Sequence, residues 1–223
     1  MAARPSPDRE RLAHEAAALA RWRTPRVLAV LCLDASVGAL MIEAIEPGTP
    51  LVEIEGSPSI ESVACLVRSL HKNAVPDPAS GPVAARITHL FDSSRKLYEW
   101  RPDLAELVWP ELYARSRELA PARDLTPVNV LDGGVERGLV AIDPAPCLGD
   151  RAFDAVDLVF WRAGDADTIA TRAERLAPAI GADPGRLLQW CAAFAGMVAL
   201  EIAERSGGSR ELVEPFLALA ARV

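Results

Sequence analysis

The sequence predicts an α+β fold in which a small N-terminal piece of one helix and two strands leads into a larger, mostly helical body. Two patterns and one composition lead there. Two short runs rich in Val and Leu lie close together early in the chain, separated by a turn. After them apolar residues recur at helical spacing, with one apolar hairpin breaking the series. Half of the 223 residues are hydrophobic and a quarter are charged, with a mean hydropathy of +0.13, which suits a chain with a sizeable core and not a disordered one.

The elements follow in order. Met1 to Asp8 is Pro- and Ala-rich and reads as irregular. Asp8 to Trp22 reads as a helix with Leu12, Ala16 and Leu19 on one face, and Ser6 and Asp8 as candidate caps. Arg26 to Leu33 and Ala39 to Ala44 read as antiparallel strands joined by a turn at Asp34 to Gly38. Glu46-Pro47-Gly48-Thr49-Pro50 is a strong breaker and marks the expected boundary between a 1–46 piece and a 47–223 body. Ser59 to His71 reads as a helix with Val63, Leu66 and Leu70 on one face. A proline-rich loop, Asn73 to Pro82, precedes two helices over Val83 to Trp100 and Asp103 to Leu119. Val128 to Leu131 and Leu139 to Ile142 flank a Gly-rich turn as a hairpin. From about Ala152 onward at least three helical segments are broken near Gly164, Gly181 to Pro184, and Gly207-Gly208.

Composition excludes several classes. A net charge of −7 and a pI near 5.1 disfavour nucleic acid as the main partner and favour a cationic small molecule. Cys32, Cys65, Cys147 and Cys191 form no CxxC pair, so neither a zinc site nor a disulfide scaffold is expected. The most apolar windows, Val27 to Leu33 and Trp190 to Leu200, fall short of the ~18–20 residues that span a membrane. Asp8, Glu10 and Glu15 lie where a secretory leader would be basic and then apolar, so a cytoplasmic protein with no membrane partner is expected.

The chemistry concentrates in Asp124-Leu125-Thr126-Pro127-Val128-Asn129, the hairpin, and Ile142-Asp143-Pro144. An antiparallel hairpin would bring Asn129 and Asp143 to the same end of its strands. Phosphoryl transfer from ATP uses such a set: one carboxylate to orient the acceptor hydroxyl and take its proton, an amide and a second carboxylate to hold magnesium. The Asp-x-x-x-x-Asn spacing with a later Asp is also the kinase pattern. The bare spacing admits a structural reading as well, with Asp124 capping a helix and Asn129 filling a turn.

The run DLTPVNVLDGGVERGLVAIDPAPCLGDRAFDAVDL resembles the aminoglycoside and hydroxyurea resistance kinases, and within them the streptomycin 6-phosphotransferases. HEAAALARW resembles the helix of their N-terminal lobe, and VLAVLCLDASVGALMIEAIEPGTPL its last two strands and the hinge. The resemblance implies a protein-kinase-like fold with ATP and Mg2+ as cofactors. It implies that Asp124 is the catalytic base, that Asn129 and Asp143 bind magnesium, and that Glu15 is the glutamate that pairs with an ATP-binding lysine. Backbone groups near Glu43, Ala44 and Ile45 would receive the adenine, while Asp150 and Asp154 would hold the catalytic loop by hydrogen bonds to its backbone. The chain departs from the family pattern at Ala122-Arg123, where His-Gly is usual. Its first glycine is Gly38, and its only lysines, Lys72 and Lys96, follow the Glu15 helix, with Arg4 near the place of the usual lysine. These departures imply an N-terminal lobe that lacks its glycine-rich loop and first three strands.

Other chemistries fit badly. His14-Glu15-Ala16-Ala17-Ala18 lacks the second histidine of a zinc protease, and no GxSxG occurs. A cationic acceptor would want carboxylates, for which Asp157, Glu201 and Glu204 are candidates, a solvated acidic face being the plainer reading. The function implied is transfer of the ATP γ-phosphate to a hydroxyl of a streptomycin-like aminoglycoside or of hydroxyurea. The alternative is an inactive relative that binds a ligand or a partner chain, with a homodimer formed through an exposed small-lobe surface.

Overall fold

A computed structural model describes residues 2–5, 9–73, 92, 95–96, 99, 101–108, 127–142 and 150–222. By their contacts these residues fall into two units, Met1–Ser80 with Asp124–Leu148, and Gly81–Arg123 with Gly149–Val223. The expected loop at Asn73 to Pro82 and most of the two expected helices before Leu119 lie outside the described residues, as do Ser6, Asp8 and Cys147.

The first unit opens with three strands, not two. Strand β1 (Ala2–Pro5) pairs antiparallel with β3 (Ala39–Ile42), which pairs antiparallel with β2 (Val30–Asp34), so the order is β1-β3-β2. The irregular start expected from Ala-Ala-Arg-Pro is thus a strand. Nothing in those four side chains favours β structure; the open edge of β3 supplies the pairing, and an edge position tolerates Pro5. Central β3 is the buried one, with Leu40 fully buried and Ile42 nearly so. Strand β2 bulges between Val30 and Cys32, and Leu31, Cys32 and Leu33 are exposed. Helix α1 (Arg9–Leu19) buries Leu12, Ala16 and Leu19, the face its spacing predicts, and contacts β2 and β3. It stops short of Trp22, whose indole N–H donates to the Leu70 carbonyl (3.1 Å) of α2 (Ile60–Asn73). Helix α2 buries Val63, Ala64, Leu66, Val67 and Leu70.

The apolar hairpin belongs to this unit. Strands β4 (Val130–Asp132) and β5 (Leu139–Ala141) pair antiparallel, Val130 opposite Ala141 and Asp132 opposite Leu139. A single helical turn, α4 (Gly134–Arg137), joins them and shows no side chain legible as a turn-former beyond its glycines. Both outer edges of the hairpin are occupied. On the β5 side, Leu28 N–H donates to Ala141 C=O (3.0 Å) and Ala141 N–H to Arg26 C=O (2.8 Å). On the β4 side, Gly48 N–H donates to Asp132 C=O (2.9 Å) and Asp132 N–H to Thr49 C=O (2.9 Å). These bonds explain why the contacts do not divide after residue 46: the hairpin pairs with segments on both sides of the Glu46-Pro47 break. Gly138 closes the turn at φ +59°, where a Cβ would collide with the Arg26 guanidinium.

The second unit is helical: α3 (Pro102–Leu107), α5 (Val156–Phe160), α6 (Ala166–Ile180), α7 (Pro184–Arg205) and α8 (Arg210–Ala220) among the described residues. The breaks fall where the sequence places them. Asp165 caps α6 through Thr168 N–H (2.6 Å), Gly181 ends it in the left-handed region, and Asp183 caps α7 through Arg186 N–H (2.8 Å) ahead of Pro184. Every residue from Trp190 to Leu200 is buried. Its alanines and Gly196 let α6, α8, α3 and α5 contact α7. Phe153 sits edge-on to Trp190 (6.0 Å) and beside Phe194 (6.1 Å), and Phe160 edge-on to Phe216 (5.3 Å). The window Trp190 to Leu200 is therefore part of a 22-residue helix long and apolar enough to cross a membrane, a correction to the expectation that no segment reaches that length. Its apolar surface is accounted for by burial among its neighbours. Cys191 on this helix is buried, and burial, with the Asp157 charge, pushes its thiol far up. Cys32 is exposed.

Candidate active site

Asp124 and Asp143 lie outside the described residues; the hairpin between them does not. Asn129 ends a short 3-10 turn (Pro127–Asn129) that runs straight into β4, and it is half-buried. Its carbonyl accepts from Ile142 N–H (3.0 Å), which continues the β4–β5 ladder by one pair. Asn129 thus stands opposite the residue that precedes Asp143, at the open end of the hairpin. The Asn129 amide oxygen at that end is a donor of the kind a hard cation takes.

The hinge residues follow β3. Glu43 N–H donates to Ala29 C=O (3.0 Å), and Glu43 Oε1 accepts from Ala29 N–H (2.8 Å). The Glu43 carboxylate is also held by both terminal nitrogens of Arg137, Nη1 to Oε2 and Nη2 to Oε1, each at 3.0 Å. Its side chain is therefore a brace, and any adenine contact at this residue falls to its backbone carbonyl. Ala44 is exposed and Ile45 buried. The turn that follows needs Gly48: its φ is +69°, and a Cβ there would overlap the Ile45 carbonyl oxygen.

The remaining candidates are dispersed. Glu15 is half-buried on α1, and Arg4 lies on β1 in register with Leu40. Asp157 is only 6% exposed on α5, inside the second unit, so it is not displayed on a helix face as an acceptor-binding acid would be. Glu201 is half-buried on α7, with Arg205 Nη2 at 3.9 Å, and Glu204 is exposed. Asp150 is tied within the second unit, while the loop at Asp124 that it is expected to hold lies outside the described residues. Asp150 accepts from Ala152 N–H (3.0 Å), Arg186 Nε (2.6 Å) and Trp190 Nε1 (2.9 Å). Partial burial pushes its carboxyl up, but the hydrogen bonds from Arg186, Trp190 and Ala152 outweigh this and hold it below the usual range. Arg186 also lies over the Trp190 ring at 4.6 Å. Arg137, the partner of Glu43, is not legible from sequence; a lone arginine in a hairpin turn carries no signal of a contact 94 residues away.

With this geometry in hand, comparison with known proteins is decisive on one point. Residues 2–206 match the aminoglycoside/hydroxyurea antibiotic resistance kinase family. The chain belongs to that family. A streptomycin 3''-kinase of Klebsiella pneumoniae is 29% identical over 180 residues, which span 74% of this chain and 66% of that protein, a little under two thirds of its length. Among solved structures, the choline kinase LicA from Streptococcus pneumoniae superposes with a TM-score of 0.53 at 14% identity, covering 96% of this chain and 79% of that one. The likeness in fold matches the expected α+β, kinase-like architecture.

Proposed function

We propose that this chain is an ATP-dependent phosphotransferase that acts on a hydroxyl of a small cationic antibiotic, a streptomycin-like aminoglycoside before hydroxyurea, in the cytoplasm. The observation that carries the reading is the family match across 2–206, which takes in Asp124, Asn129 and Asp143 together with the hairpin that joins them. Asp124 orients the acceptor hydroxyl and takes its proton as the oxygen attacks the γ-phosphorus; the bond from that phosphorus to the bridging oxygen breaks and ADP leaves. Asn129 and Asp143 are the residues that would hold magnesium, whose charge neutralises the phosphate oxygens. The backbone of Glu43 to Ile45 receives the adenine. Glu15, on α1, takes the place of the family glutamate at the phosphate end of the site. Glu201 and Glu204, more accessible than Asp157, are the acids to face a guanidinium- or ammonium-bearing acceptor.

The test is phosphate transfer to streptomycin followed by mass spectrometry of the product, beside thermal unfolding with magnesium-ATP. Nucleotide at ~100 times its dissociation constant adds about 2.7 kcal/mol, which raises the midpoint by roughly 5–10 °C in a protein of this size. The Asp124→Asn variant keeps that shift and loses transfer by about 10³-fold; Asp143→Ala loses the shift. Undiminished turnover in Asp124→Asn would sink the assignment. Absence of both shift and transfer in the parent chain would move the reading to a non-catalytic binding protein.

A further inference from the structure

We propose that Arg137 is a positioning residue that fixes the adenine-receiving backbone to the hairpin that carries Asn129; this rests on the phosphotransferase reading above. Arg137 sits at the closed end of the hairpin, in the turn between β4 and β5. Its guanidinium is spent on two partners, the Glu43 carboxylate and the Pro25 carbonyl. Two parallel bonds of 3.0 Å reach the Glu43 carboxylate, and Nε donates to the Pro25 carbonyl at 2.9 Å. Glu43 passes the constraint on, since its Oε1 also takes Ala29 N–H. Both side chains are about three-quarters buried, with 26% and 25% of their surface exposed, so this is neither a solvated surface pair nor a fluctuating one.

The consequence concerns a short stretch of backbone. Residues 43 to 49 are anchored at one end by Arg137 on Glu43 and at the other by the bonds of Gly48 and Thr49 to Asp132. Both anchors come from the same hairpin. The stretch between them contains Ala44 and Ile45, the groups proposed to receive the base. The hairpin thereby sets the spacing from base to magnesium end, because β4 and β5 are only three residues each and act as one short rigid piece. Only a planar, forked cation can span Glu43 and the Pro25 carbonyl together, which a lysine ammonium cannot reproduce.

The experiment measures KM for ATP, KM for streptomycin, kcat and the thermal midpoint for the parent chain, Arg137→Met, Arg137→Lys and Glu43→Gln. Positioning predicts that KM for ATP rises about 10-fold in Arg137→Met and nearly as far in Arg137→Lys. KM for the acceptor should stay within twofold. Glu43→Gln keeps an acceptor for Ala29 N–H and for Arg137 Nη2 but turns the oxygen facing Arg137 Nη1 into an amide donor, so it should fold and show a rise of the same kind. Glu43→Gln/Arg137→Met should be no worse than Arg137→Met alone, because both act through one contact. A lower midpoint with KM for ATP within twofold of the parent in both Glu43→Gln and Arg137→Lys would overturn the inference while leaving the phosphotransferase reading intact. A parent chain that neither binds ATP nor transfers phosphate would overturn that reading, and this inference with it.

Discussion

The hairpin of the first unit and the helical core of the second are held by opposite means. The hairpin has two strands of three residues and is laced on both edges by backbone hydrogen bonds, with Arg137 and Arg26 braced across its turn. Helix α7 is surrounded by apolar neighbours and buries eleven consecutive residues, Trp190 to Leu200. Hydrogen bonds are directional and accept one register; apolar burial rewards volume and tolerates many arrangements. A unit that joins segments as far apart as Pro25, Glu43 and Asn129 needs the first kind of bond. A scaffold that only has to stay assembled can rely on the second. The few polar ties in the helical unit fit this division, since Asp150 gathers Arg186, Trp190 and its own loop at the point where the chain enters the core.

The contrast can be broken most forcefully in the core. Phe194→Ala removes a fully buried ring that contacts Phe153 and should cost about 3–5 kcal/mol, lowering the midpoint by roughly 10 °C in calorimetry. In the hairpin, Gly138→Ala should cost about 1–3 kcal/mol in urea titration. The Arg26 side chain can swing away from the new methyl at the expense of its bond to the Leu139 carbonyl, but the φ of +59° stays unfavourable. Asp150→Asn probes the polar tie. The carboxyl is held below its ordinary range in the fold, so it contributes stability above its unfolded value of about 3.9 and loses it as pH falls through the lower folded one. The variant should therefore be less stable than the parent at pH 6, and the gap should narrow below pH 4 in acid titrations followed by circular dichroism. Arg210→Ala, which breaks only an exposed pair with Glu214 at 3.6 Å, should leave the midpoint within measurement error.

What was legible in the sequence divides along the same line. The Leu12, Ala16 and Leu19 face of α1 and the breaks around α6 and α7 are local, and local spacing predicts them. The placing of Asn129 opposite Ile142 follows from hairpin alternation alone. Strand β1 was not legible, because Ala2–Pro5 takes its conformation from β3 and not from its own side chains. Nor was the grouping of the hairpin with the residues before the Glu46-Pro47 break, since edge pairing between distant backbones leaves no mark on residue type. Arg137 and Glu43 are each unremarkable in sequence, and only the fold makes them a pair. Asp157 looked like a surface acid by its type; its position on α5, where all five residues are buried, made it an interior one.

The two cysteines at the extremes of burial give the molecule a built-in clock. Cys32 stands exposed on β2, and Cys191 lies at the centre of α7 with its thiolate suppressed. A thiol reagent should therefore modify Cys32 within the mixing time, while Cys191 waits for the helical core to open. The rate at Cys191, read by peptide mapping so that Cys65 and Cys147 do not enter it, counts openings of that core, and Phe194→Ala should quicken it while Gly138→Ala leaves it alone. Each helical-core defect can thus be timed with no engineered label.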